Sequence, residues 1–159
     1  MRLKSLDRVL VTAAALSVGT LAFSPSQAMA QQRPYRATIE ALAVGFPSGV
    51  YFAPGNATHL GKITESGTYE VVGPAGPDQF FLTGEGTQVA ANGDTFSFTF
   101  DEIVDFSVEP FTAQGSFTIT GGTGRFEDAV GSGSFNTVGV FLDDVSLGLD
   151  IQYEGRIDC

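Results

Sequence analysis

The sequence predicts an all-β protein built as a single eight-stranded antiparallel barrel, and three observations predict it. Apolar and polar residues alternate with period two in several segments after residue 31, no segment there keeps an apolar 3.6-residue period for three turns, and turn-forming residues separate the alternating runs. About eight short strands joined in this way form a closed barrel or a sandwich. Closure is favoured because it removes the edges that phenylalanine-rich strands would offer to neighbouring molecules. An outer-membrane barrel also alternates, but such barrels carry aromatic girdles, and this chain has no tryptophan and only four tyrosines.

The chain opens with a basic head (Arg2, Lys4, Arg8), an apolar stretch over 9–23, and Ser24-Pro25-Ser26-Gln27-Ala28-Met29-Ala30. This order reads as a secretory signal peptide spanning residues 1–30. Thr12, Ser17, Gly19 and Thr20 interrupt the stretch, which falls short of the ~20 apolar residues of a membrane span, and Ala28 and Ala30 are the small residues a signal peptidase reads. Residues 31–159 then form one domain, expected to be secreted or periplasmic and not inserted in a membrane.

Within that domain, strands are expected over 36–44, 58–64, 67–72, 79–85, 87–91, 94–100, 111–120, 132–140 and 145–157. The last is the clearest: Val145, Leu147, Leu149, Ile151 and Tyr153 face one side, against Ser146, Asp150, Gln152, Glu154 and Arg156 on the other. Phe96, Phe98 and Phe100 repeat the pattern against Thr95, Ser97 and Thr99. Asn92-Gly93 predicts a tight type I′ hairpin, whose two central residues both need positive φ. Residues 46–49 and 74–77 read as loops. Gly121, Gly122 and Gly124 predict a corner between strands. They do not predict a phosphate loop, because Gly131 and Gly133 stop any helix that would supply the N–H donors.

Removing residues 1–30 leaves five basic and seventeen acidic residues, a net charge of −12, which repels nucleic acid and anionic lipid surfaces. The single cysteine, Cys159, cannot form an internal disulfide, so packing and strand pairing must hold the fold. One histidine and one terminal cysteine cannot make a structural zinc site. Asp101, Glu102, Asp105 and Glu109, with Asp143 and Asp144, lack the spacing of a calcium loop and read as a solvated acidic rim. No metal or cofactor is expected.

Thr118-Ile119-Thr120-Gly121-Gly122-Thr123-Gly124-Arg125-Phe126, followed by Ala129 and Gly131, resembles the G-G-T-G-x-F segment of dirigent proteins, relatives of the allene oxide cyclases. The runs Thr58-His59-Leu60-Gly61, Ala90-Ala91-Asn92-Gly93-Asp94 and Gly121 to Phe126 are similar, in that order, to those of small exported bacterial proteins of unsettled function. The resemblance implies an eight-stranded, calycin-like antiparallel barrel. It also implies, as an alternative to a binding or structural role, an isomerase or cyclase acting on a small hydrophobic molecule. Dirigent proteins usually carry arginine between the alanine and glycine of this segment, where this chain has Val130, and that departure weakens the carry-over of phenol-coupling chemistry.

Candidate catalytic residues are His59, Glu65, Tyr69 and Arg125. His59 is the only histidine and no G-x-S-x-G elbow accompanies it, so the residues favour a non-enzymatic protein. The abundant phenylalanine favours a filled barrel with at most a shallow pocket near His59. The expected partner is a small apolar ligand, and a homo-oligomer is compatible with the sequence. The exported protein should begin at Gln31, and N-terminal sequencing checks it. A start upstream of Ala28 would contradict the cleavage assignment.

Overall fold

A computed structural model describes residues 32–159. The segment 1–30 and the expected start at Gln31 lie outside the described residues. Eight strands follow one another: β1 (Arg33–Val44), β2 (Ser48–Ala57), β3 (Gly61–Gly76), β4 (Gln79–Ala90), β5 (Thr95–Asp105), β6 (Phe111–Gly122), β7 (Val130–Phe141) and β8 (Ser146–Asp158). Each pairs antiparallel with the next, and β8 closes onto β1, so the barrel has no free edge. The β1–β2, β3–β4, β5–β6 and β7–β8 connections mark its upper end. The β2–β3, β4–β5 and β6–β7 connections mark its lower end.

Two pairs of expected strands are single strands. β3 runs through the break placed after residue 64 and takes in most of the loop placed at 74–77, and β4 runs through the break after 85. The cause lies in what points inward: Glu65 and Gly67 in β3, and Gly84 and Gly86 in β4, interrupt the apolar alternation without ending the backbone pairing. β2 hides its period differently. Its inward face is Tyr51, Ala53, Gly55 and Ala57, while Val50 and Phe52 are apolar and exposed on the outer face, where they pair across strands with Val44 and Leu42.

Eleven aromatic residues are buried, and nine of them face glycine directly across a strand pair. Phe98 lies opposite Gly86, Phe100 opposite Gly84, Phe111 opposite Gly139, Phe117 opposite Gly133, and Phe135 opposite Gly115. A Cβ on Gly84, Gly86, Gly115, Gly133 or Gly139 would overlap the ring of its partner. The glycines therefore provide the floor on which the rings lie, as small and large residues must alternate inside a narrow barrel. The rings then meet mostly edge to face, Phe117 and Tyr153 at 5.5 Å and Tyr35 and Phe96 at 5.7 Å, an arrangement favoured by the ring quadrupoles.

The lower end is sealed by the glycine corner. Gly124–Phe126 forms a single 3-10 turn that drops Phe126 into the barrel, where it is fully buried and packs on Phe96 at 5.8 Å. Arg125 crosses this plug, its guanidinium 4.9 Å from the Phe126 ring, and donates to the His59 backbone carbonyl at 2.6 Å. Its Nε also lies 3.5 Å from Asp94, so one side chain ties the three lower connections together. The β4–β5 turn differs from a type I′ hairpin. Gly93 has φ +90, whereas Asn92 has no positive φ, and Gly93 N–H donates to the Ala90 carbonyl while Ala90 N–H donates to that of Asp94. This is a three-residue loop with glycine in the left-handed position, and Asn92 caps it from the side by accepting from Asp94 N–H.

Because the Gly139 cleft is filled by the side chains of Phe111 and Leu149, Gly139→Ala should cost about 1–3 kcal/mol in urea unfolding. In a Phe111→Leu background the same change should cost markedly less. An equal cost in both backgrounds would contradict the ring-on-glycine packing.

Candidate functional site

The alternation that buries the phenylalanines also carries polar groups inside. All four tyrosines point into the barrel, at 1–7 % exposure, together with Glu65, Gln88 and Thr137. Glu65 on β3 is fully buried, and both its oxygens accept hydrogen bonds: Gln88 Nε2 donates to Oε2 at 2.6 Å, and Tyr153 Oη donates to Oε1 at 2.9 Å. Gln88 in turn accepts from Tyr35 Oη at 2.7 Å. Four strands, β1, β3, β4 and β8, are thus joined through the middle of the interior by a continuous polar chain. Such a network is stable when each member is satisfied, as these four are.

Above this layer the packing opens. A narrow cavity of about 50 Å³ is lined by apolar side chains including Leu82, Phe100, Val104, Phe111 and Phe135. That is several times the minimum for one water and far too little for a bulky ring system. Phe46, Phe106 and Phe141 form a collar at its upper end, with centroid separations of 5.6–5.8 Å. Into this apolar space project Tyr51, Tyr69, Thr137, Tyr153 and Glu102. The hydroxyls of Tyr51, Tyr69 and Thr137 are buried and meet no hydrogen-bond partner among the described residues. The Tyr51 hydroxyl is turned towards Glu65 beside Gly86, at the floor of the cavity, and interacts with that carboxyl outside strict hydrogen-bond geometry.

Burial dominates the electrostatics. It raises Glu65 from the ordinary 4.5 to about 7, against the lowering effect of its hydrogen bonds from Gln88 and Tyr153. Glu102 is raised to about 7 by burial alone. Tyr35, Tyr51 and Tyr153 are pushed upward first by burial and then by the Glu65 charge, so they remain hydroxyl donors at neutral pH. Tyr69 is raised by burial.

The four candidate residues separate into two groups. Glu65 and Tyr69 are inside, Tyr69 on the cavity wall and Glu65 in the polar layer beneath it. His59 and Arg125 are at the lower end. His59 has φ +68 in the β2–β3 turn, its ring Nε2 lies 2.9 Å from the Pro34 carbonyl, and its own carbonyl is held by Arg125. The pocket expected near His59 therefore lies at the other end of the barrel, because Phe126 fills the space beside the histidine turn. Glu102 likewise departs from the solvated rim. β5 continues to Asp105, five residues past its expected end, and the inward parity of Phe96, Phe98 and Phe100 passes to Glu102 and Val104. Extending that parity would have found Glu102 in the sequence. Tyr51 and Thr137 carry no such signal until the register of β2 and β7 is known.

No protein-family model, curated protein or solved structure matches this chain.

The two raised carboxyls give stability a definite pH dependence. Below about pH 4.5 each is protonated whether the chain is folded or not. Between about 4.5 and 7 the unfolded chain ionises while the fold keeps its protons, so stability falls as pH rises through this window and levels off above it. At roughly 1.4 kcal/mol per pH unit, Glu65 alone accounts for on the order of 3 kcal/mol. The urea midpoint should fall between pH 5 and 8, and Glu65→Gln should flatten that slope. A slope unchanged by the substitution would contradict the assignment to Glu65.

Proposed function

We propose that this protein is an exported, non-enzymatic binding barrel whose upper cavity holds a small, mainly apolar molecule. The observation that carries the reading is the pair of unpartnered hydroxyls, Tyr69 and Thr137, buried on the wall of an otherwise apolar cavity. Leaving a buried hydroxyl unsatisfied costs about 1–3 kcal/mol, and two around one space are best accounted for by a guest that satisfies them. Ligand sites have this composition, an apolar wall with a few convergent polar groups. Export is supported by the basic head, apolar stretch and Ala28-Met29-Ala30 of the leader.

A second reading, the isomerase or cyclase that the dirigent and allene oxide cyclase resemblance implies, is supported by two interior carboxyls held near neutrality, where a group can both give and take a proton. Only Glu102 lines the cavity; Glu65 lies behind Tyr153. His59 and Arg125 have no part in either reading, because they lock the opposite end.

Native mass spectrometry of protein purified from its exporting host should show a co-purified small molecule. A Leu82→Trp variant, which fills the cavity, should lose it. Absence of any adduct in the unaltered protein, together with no change in its aromatic proton spectrum when small apolar molecules are added, would overturn the binding reading.

A further inference from the structure

The cavity has a charge character that narrows its guest. Glu102 is half-buried on its wall, and no side-chain hydrogen bond or ion pair joins it to a described residue, while the remaining polar groups on the wall are neutral hydroxyls. No lysine, arginine or histidine is among the lining residues. An anionic guest such as a fatty acid would therefore lose its hydration with no counter-charge to replace it, and would face a carboxyl besides. A neutral alcohol could satisfy one or two hydroxyls but would leave Glu102 without a charged partner.

Resting on the binding reading above, we propose that the cavity is a site for a small primary amine. Its ammonium group is held by the Glu102 carboxylate and by the oxygens of the cavity hydroxyls, and its slender apolar body lies along the phenylalanine wall. An ammonium has three N–H donors and no acceptor, which matches one carboxylate with neighbouring hydroxyl oxygens. A charge-assisted pair out of water is roughly twice as strong as a neutral hydrogen bond. Phe46, Phe100, Phe106, Phe111 and Phe135 supply ring faces and edges around the same space, and a cation seated against a face gains further attraction. The narrowness of the cavity restricts the body to a slender chain. The excess of acids over bases in the chain also favours the approach of a cation.

The test compares three probes of one length, hexylamine, hexanol and hexanoate, titrated into the purified protein at pH 8 and read by calorimetry and by shifts of the aromatic ring protons. Hexylamine should bind at least about tenfold more tightly than hexanol, and hexanoate should not bind. Glu102→Gln should remove the amine preference while leaving hexanol binding in place, which also shows that the variant is folded. Thr137→Val should weaken hexylamine by a smaller factor. Equal binding of hexanol and hexylamine, or an amine preference that survives Glu102→Gln, would overturn the amine assignment while leaving a cavity that binds apolar guests. Binding of none of the three would overturn both.

Discussion

The interior of an eight-stranded barrel is only about as wide as the side chains that must fill it, and this chain places eleven aromatic residues there. The rings fit because most of them lie across from a residue that has no side chain. Each ring-on-glycine pair ties two adjacent strands to one register, since a slip of one residue would put the ring on the outer face and leave the glycine opposite nothing. The same pairs set the level at which the interior is full. Towards the upper end the inward positions pass to Tyr69, Glu102 and Thr137, the rings of Phe46, Phe106 and Phe141 close over them, and a cavity remains between.

The two ends consequently do different work. The lower end is closed by a plug and a latch, Phe126 beneath Arg125, with Asp94 and the His59 carbonyl as the latch points. Every one of the three short runs that gives the sequence its resemblance lies there, so those runs describe how a barrel is closed and say little about what it holds. Chemistry that needs a space has only the upper end, where the groups available are hydroxyls and Glu102. Between the two, Glu65, Gln88, Tyr35 and Tyr153 form a polar floor whose hydrogen bonds are all made, which holds the Tyr153 hydroxyl fixed at the base of the cavity.

The barrel itself could be read from the chain because period-two alternation survives in β5, β6 and β8, and because glycine and Asn-Gly mark the turns. β2 could not, since Val50 and Phe52 are apolar on its outer face and erase the period. The strand-internal glycines take their meaning from a ring in another strand, which only the register supplies. Glu65 and Tyr69 are legible as candidates, but their separation from His59 and Arg125 depends on which end each strand runs towards, a property of connection order and not of any local motif. Glu102 was within reach, because it extends a phenylalanine alternation by one step.

The most direct test is a high-resolution crystal structure refined for density inside the barrel. Ordered density is expected beneath the Phe46, Phe106 and Phe141 collar, within hydrogen-bonding distance of Tyr69 and Thr137 and next to Glu102. A collapsed, dry interior in which those two hydroxyls bond to protein groups would contradict the binding reading.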